Sequence, residues 1–296
     1  NASEDRSLEI IQRYVAARPR LFRLMDRDSR GYGSSINAAI ATARGRYFRI
    51  VDADDWVDTA ELVKLVDALA TCEADVVLTD YQIVNMQNGS HTAVRAGDQG
   101  APYGVILTGF SWPTRTLPSI HATTYRISLL RESGFFMQDG IFFVDEEYVI
   151  LPYLSARSVL YYPFDIYRYQ VANPAQSTSP KNRSKYQQHR EMVLERLIAA
   201  YLDAERIDKG NQALGYCYER ICRGVGDHFT TLYMYVEDRR EGRRLAKNWR
   251  QAVRPSPFWA PVRCKVWQLA LLNRFSVSLR VYERLKAILI GRRSGK

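Results

Sequence analysis

The sequence has little of what a disulfide-bonded, zinc-binding or membrane-spanning protein needs. Its four cysteines, Cys72, Cys217, Cys222 and Cys264, form no CxxC pair, and its four histidines are scattered. That excludes the usual zinc-ligand spacings, and a 296-residue chain needs no disulfide framework, so reduced cysteines are expected. No apolar run reaches the ~18 residues that a spanning helix requires. Internal repeats, low-complexity segments and a visible secretory signal are also missing. The chain opens at Asn1 without Met and inside what reads as a motif, so a preceding strand is expected to be missing. With 46% hydrophobic and 25% charged residues, the composition is that of a folded globule and excludes a disordered chain.

What is present is charge, unevenly placed. The net charge is +10, yet residues 1–236 hold 26 Lys and Arg against 28 Asp and Glu, whereas residues 237–296 hold 16 against 4. A near-neutral globule therefore carries a strongly basic tail region, and each part needs its own explanation.

Helical and strand signals alternate over the first ~85 residues, which predicts an α/β unit with a mainly parallel sheet. Helices are expected from Ser7, over Ser34–Ala43 and over Thr59–Thr71, with strands at Arg20–Met25, Tyr47–Val51 and Asp75–Leu78. Residues 79–120 read as strands and loops. A helix is expected over Ile127–Ser133, another at roughly 145–155, and a strand over Ser158–Tyr162. Val171–Arg183 reads as a polar loop. From Ser184 onward the signal is helical, broken at Pro255 and Pro257. The domains are accordingly drawn at 1–180 and 181–296.

Three carboxylates in four positions, Asp52, Asp54 and Asp55, follow the hydrophobic strand. Like charges this close raise one another's pKa unless a cation or hydrogen bonds compensate them. A divalent ion with oxygen ligands, Mg²⁺ or Mn²⁺, is the natural partner for Asp52 and Asp54. Asp55 or Asp58 can instead cap the helix that starts near Thr59.

Three segments resemble the family 2 glycosyltransferases of the GT-A fold. Asn1-Ala2-Ser3-Glu4-Asp5-Arg6-Ser7-Leu8-Glu9-Ile10 is similar to the family's first loop and helix. Asp28 to Asp55, with Gly31-Tyr32-Gly33, Asn37, Ala38, Gly45 and Asp52-Ala53-Asp54-Asp55-Trp56, resembles its run from NGG to LDADDW. Val144-Asp145-Glu146-Glu147-Tyr148 is similar to its second acidic motif. The resemblance spans roughly residues 1–180 and implies an α/β GT-A catalytic domain, a Rossmann-like mixed sheet, with a C-terminal helical extension. It further implies an inverting, metal-dependent transfer from a nucleoside-diphosphate sugar, UDP-linked for preference, to a glycan or lipid-linked acceptor of the bacterial polysaccharide type.

By the same resemblance the DxD pair falls on Asp52 and Asp54, with Asp54 on the metal and Asp52 near the ribose or metal-bound water. Asp145 takes the general base, with Glu146 in reserve, and Asn1 and Asn37 lie on the donor side. Ile36 stands where the family often has Arg, and Val144 where it has the Glu of its acidic pair. On a helix starting near 145, successive side chains point about 100° apart, so Asp145, Glu146 and Glu147 cannot all face the sugar. Those acids also suit a helix N-terminus for purely structural reasons. His121 is either an acceptor-side group or a structural histidine. Arg168 either reaches a donor phosphate or pairs with Asp165.

In the tail region Arg239, Arg240, Arg243, Arg244, Lys247, Arg250 and Arg254 recur at helical spacing. Val281, Tyr282, Leu285, Ile288 and Leu289 form an apolar stripe, with Trp249, Trp259 and Trp267 nearby. Basic, aromatic and amphipathic together read as a surface for anionic lipid. A helical subdomain packed on the core with a solvated basic face is the plainer alternative. No nucleic-acid recognition motif is present. The expected placement is cytoplasmic, peripheral on the inner face of the cell membrane. The alternative function is a non-catalytic scaffold that binds membrane or anionic polymer through its tail.

Overall fold

The computed structural model describes residues 5–27, 31–97, 102–108, 117–171, 180–282 and 284. Helices α1 (Ser7–Ala17) and α2 (Tyr32–Thr42) precede strands β1 (Tyr47–Arg49) and β2 (Trp56–Val57). Helix α3 (Thr59–Leu69) leads to β3 (Val76–Asn85), β4 (His91–Val94), β5 (Leu107–Thr108) and β6 (Thr123–Arg126). Short helices α4 (Ile127–Glu132) and α5 (Asp145–Tyr148) and the long strand β7 (Ser158–Val171) complete the α/β part. The rest is helical: α6 (Pro180–Lys185), α7 (Gln187–Ile207), α8 (Ala213–Thr230), α9 (Arg239–Val253) and α10 (Trp259–Arg274), with a π-helical segment, Thr231–Tyr235, after α8.

The sheet runs β1-β6-β3-β7-β2, with β4 added to β3 and β5 to β7. Among the described strands only β3 and β7 form a parallel ladder; the other ladders are antiparallel. The sheet is thus mixed rather than mainly parallel. The pairing of β2 with β7, Trp56 opposite Arg168 and Val57 opposite Tyr167, matters most for function, because it ties the end of the acidic loop to the long strand.

One continuous hydrophobic core runs from Val76, Tyr125 and Tyr148 through Leu197 and Phe229 to Trp249 and Leu269, so the α/β part and the helical region share it. The four cysteines are free, with Cys72 and Cys217 buried and Cys264 exposed. Among the described residues no helix is long and apolar enough to cross a membrane.

Several elements differ from the sequence expectation. Arg20–Met25 has strand-like residues, but no sheet strand pairs with it, and Leu21 is 75% exposed. A strand needs a hydrogen-bonding neighbour more than it needs propensity. The helix expected at 145–155 is a single turn followed by a 3₁₀ turn at Pro152–Leu154, where proline interrupts the helical ladder. Residues 180–183 are helical rather than loop, with Pro180 at the first helical position, which its fixed φ favours. The stretch 172–179, and Leu285, Ile288 and Leu289 of the tail stripe, lie outside the described residues.

The Gly31-Tyr32-Gly33 turn and Asn37 serve packing. Gly31 has φ +151°, a value that side-chain-bearing residues rarely adopt. A Cβ on Gly33 would stand 2.1 Å from the carbonyl oxygen of Gln138. Asn37 clamps the same segment, its amide donating to the Met137 carbonyl and its oxygen accepting from the Met137 N–H, both at 2.8 Å. Helix α2 is thereby fixed against residues 137–139. Gly33→Ala should cost about 1–3 kcal/mol, because backbone rather than a flexible side chain would have to move. A chemical-denaturation midpoint equal to that of the wild type would refute this.

Candidate active site

The acidic loop is held in shape by two tyrosines. The Tyr32 hydroxyl donates to Asp52 Oδ1 at 2.8 Å. The Tyr167 hydroxyl donates to Asp55 Oδ2 at 2.6 Å and accepts from the Asp52 N–H at 3.1 Å. The other Asp55 oxygen accepts from the Gln170 N–H at 2.7 Å. Both Asp55 oxygens are therefore engaged within the fold. Asp58, three residues on, caps α3 by accepting from the Glu61 N–H. Burial pushes the Asp52 carboxyl up, partly offset by the Tyr32 hydrogen bond, and Asp55 and Asp54 push in the same upward direction.

His121 sits in the 3₁₀ turn before β6, stacked on Tyr169 at 4.0 Å between ring centroids, with Tyr167 at 4.9 Å. Its Nε2 lies 4.0 Å from Asp55 Oδ2. Arg49, half-buried on β1, donates to the His121 carbonyl and to the hydroxyls of Thr79 and Thr124, fixing this turn to the sheet. Burial, and then the Arg49 charge, lower the His121 pKa to about 3, so the imidazole is neutral and able to ligate.

The three acids at 145–147 part company, as the helical geometry requires. Asp145 opens into the cleft. Glu146 pairs with Arg220 of α8 at 2.8 Å. Glu147 is buried against Arg196 of α7 at 3.0 Å and accepts from the Gln138 N–H. Crowding by the surrounding protein, then the Glu146 charge, raise the Asp145 pKa to about 6, against the opposing pull of Arg220 and Arg190. Just before it, Phe143 has φ +69°, a strained value for a bulky residue.

A cavity of about 410 Å³ brings these parts together: Tyr32, Asp52, Asp54, Asp55, His121, Phe142, Phe143, Asp145 and Tyr169 all line it. A larger groove of about 820 Å³ lies elsewhere, between the end of α4 and α7, and none of the sequence-predicted site residues line it. The smaller cleft is the candidate site because acids and an imidazole from three separate segments converge there. Arg168 stays outside it, bonded to Asp165 at 3.0 Å and near Asp58 at 3.5 Å. Asn37 is engaged with Met137, and Asn1 lies outside the described residues. Tyr32, Tyr167 and Tyr169 are site residues that the sequence reading missed. The strand alternation of β7 was the available signal, since residues 167 and 169 share the face opposite to 168.

The donor set suits a divalent cation. Carboxylate oxygens of Asp52 and Asp55 and a ring nitrogen of His121 lie within 4.8 Å of one another, and Asp54 lines the same cavity. Carboxylates with one neutral imidazole fit Mn²⁺ somewhat better than Mg²⁺, which prefers oxygen throughout. Tyr167→Phe removes the hydroxyl that joins Asp52 to Asp55. It should cost about 1–3 kcal/mol of stability. Mn²⁺ affinity should fall about 10–100-fold. Thermal unfolding and an Mn²⁺ titration read the two effects, and an unchanged Mn²⁺ affinity would refute the positioning role.

Residues 1–134 match the sequence model described as glycosyl transferase family 2. The likeness to that family is confined to this N-terminal part of the chain. Over 113 residues it is 27% identical to chondroitin synthase of Escherichia coli, which covers 38% of this chain but only 14% of that much longer protein. The fold is similar to S. aureus TarS 1–349 in complex with UDP-GlcNAc, with a TM-score of 0.53 and 17% identity, covering 96% of this chain and 80% of that one. The UDP complex of the same protein gives a TM-score of 0.53 at 16% identity, over 93% and 80% of the two chains. The architecture is therefore GT-A-like with a helical C-terminal region. The cleft extends beyond the matched residues, because Asp145, Phe142 and Tyr169 follow residue 134.

Proposed function

We propose that the protein is a glycosyltransferase that moves a sugar, with inversion, from a nucleoside-diphosphate sugar to a hydroxyl of a glycan or lipid-linked acceptor. The observation that carries the reading is the convergence of Asp52, Asp54, His121 and Asp145 in one cleft. A UDP-linked donor is favoured by the UDP-GlcNAc and UDP complexes of TarS. In the transfer, the acceptor oxygen bonds to the sugar's anomeric carbon as the bond from that carbon to the diphosphate oxygen breaks. The electron pair leaves on the diphosphate and the acceptor proton passes to Asp145. A raised pKa fits Asp145 for this task, since a base works best when its pKa lies near the working pH. Asp52 and Asp54 would hold Mn²⁺ or Mg²⁺, with His121 beside them. Such an ion supplies Lewis-acid stabilisation of the leaving diphosphate. Tyr32 and Tyr167 keep the carboxylates in place without any donor present. The net charge of the basic tail region supports a site of action at the cytoplasmic face of a membrane, where a lipid-linked acceptor would be met.

The direct test incubates the full chain with Mn²⁺ and a panel of UDP- and GDP-sugars, with and without an acceptor panel, and follows nucleoside diphosphate release. Release from at least one donor, abolished by EDTA, is expected. No binding and no release with any donor would favour the scaffold alternative.

A further inference from the structure

Helix α10 is apolar on two opposite faces, and among the described residues only one is covered. Val262, Val266, Leu269 and Asn273 are buried, where the helix packs on α8, α9 and the π-helical segment. At about 100° per residue, Cys264, Trp267, Leu271 and Phe275 point the other way and form one stripe. Trp267 is 64% exposed, Leu271 53% and Phe275 76%. Arg263 and Arg274 run along one flank of that stripe, with no carboxylate partner among the described residues. The adjoining basic helix α9 is fixed to the end of α10: Arg239 donates to the Val277 carbonyl at 2.7 Å and Arg243 to Asn273 Oδ1 at 2.7 Å.

We propose that this stripe is the docking face for an anionic lipid bilayer, with Trp267, Leu271 and Phe275 entering the interface and Arg263 and Arg274 meeting headgroup phosphates. This deepens the membrane part of the proposed function and is independent of the transfer chemistry. Three large apolar side chains in line on a surface helix mark an interaction site. Charge selects the occupant. Residues 237–296 carry a net +12, so a second copy laid face to face on this surface would bring like charges together. A bilayer rich in acidic lipid offers the opposite charge and an apolar interior beneath it, and tryptophan is at home at that boundary.

Co-sedimentation of the full chain with vesicles of mixed phosphatidylglycerol and phosphatidylcholine tests the proposal, with phosphatidylcholine alone as the control. Binding only to the anionic vesicles, weakened by salt, is expected. Replacing Trp267, Leu271 and Phe275 together by serine should lower that binding on the order of 100-fold. Arg263→Gln with Arg274→Gln should lower it roughly 10-fold. A second readout on the otherwise native fold uses exposed Cys264: a solvatochromic label there, in a Cys222→Ser background, should shift to the blue on anionic vesicles. Binding of UDP in the cleft should be equal in the triple variant and the wild type, so loss of this proposal and loss of the transfer reading are distinguishable. Undiminished vesicle binding by the triple variant, or an unshifted label, overturns the proposal. So does a dimer that the triple variant dissolves without any vesicle binding, which would assign the stripe to a second copy.

Discussion

Asp145→Asn is expected to lower kcat by about 10²–10⁴-fold, the range for loss of a general base, while leaving donor binding nearly unchanged. The substitution should also stabilise the protein at neutral pH. A carboxyl whose pKa is higher folded than unfolded binds its proton more tightly in the native state. Native stability therefore falls as pH rises from the ordinary carboxylate value toward the folded value of about 6, and stays lowered above it. Asparagine cannot ionise and escapes that loss. An inactive variant with a raised melting temperature at pH 7, and no such gain at pH 4, is the expected signature. The wild-type rate should rise with pH through the same region as Asp145 loses its proton, with Glu146, Arg190 and Arg220 setting where the rise falls. A variant that keeps most of its kcat would remove Asp145 from the chemistry.

Asp54→Asn carries the second large effect. Asp54 faces the cleft without the hydrogen bonds that occupy its neighbours, since Asp52 receives Tyr32 and Asp55 receives Tyr167 and Gln170. Its carboxylate is the one in the loop with both oxygens left to meet an incoming cation. Removing one such charge should cut the rate by at least 10²-fold, several kcal/mol of leaving-group stabilisation being at stake. Folding should be unaffected, because no hydrogen bond or ion pair among the described residues uses that side chain. Asp55→Asn is the contrast: it disturbs two hydrogen bonds that shape the loop and should lower thermal stability as well as rate. Steady-state kinetics of the two variants beside their melting curves separates the roles. Equal melting curves for both would contradict the division of labour.

Much of this was legible in the residues. A hydrophobic strand ending in Asp52-Ala53-Asp54-Asp55 located one wall of the cleft, and helical geometry required that Asp145, Glu146 and Glu147 not share one direction; in the fold Glu146 and Glu147 pair with Arg220 and Arg196. Other features needed the third dimension. Arg168 and the two tyrosines beside it differ only in which side of β7 they face, and that is set by pairing with β2. Asn37 is expected on the donor side through the family resemblance of residues 28–56; its partner in the fold, Met137, is 100 residues away. The mixed character of the sheet follows from β6 entering between β1 and β3, a long-range pairing that local periodicity does not encode. The uncovered face of α10 was hidden for the same reason, since sequence alone gives two apolar faces and not which one the core takes.

The cleft joining Asp52 and Asp54 to Asp145 is expected to bind a nucleoside diphosphate together with a divalent cation. Calorimetric titration of UDP into the full chain, with Mn²⁺ and then with EDTA, tests it most directly when repeated on Asp54→Asn. Binding that needs Mn²⁺ and is weakened at least tenfold by the substitution is the predicted result. Equal UDP affinity under all of those conditions, or none in any, would contradict the account.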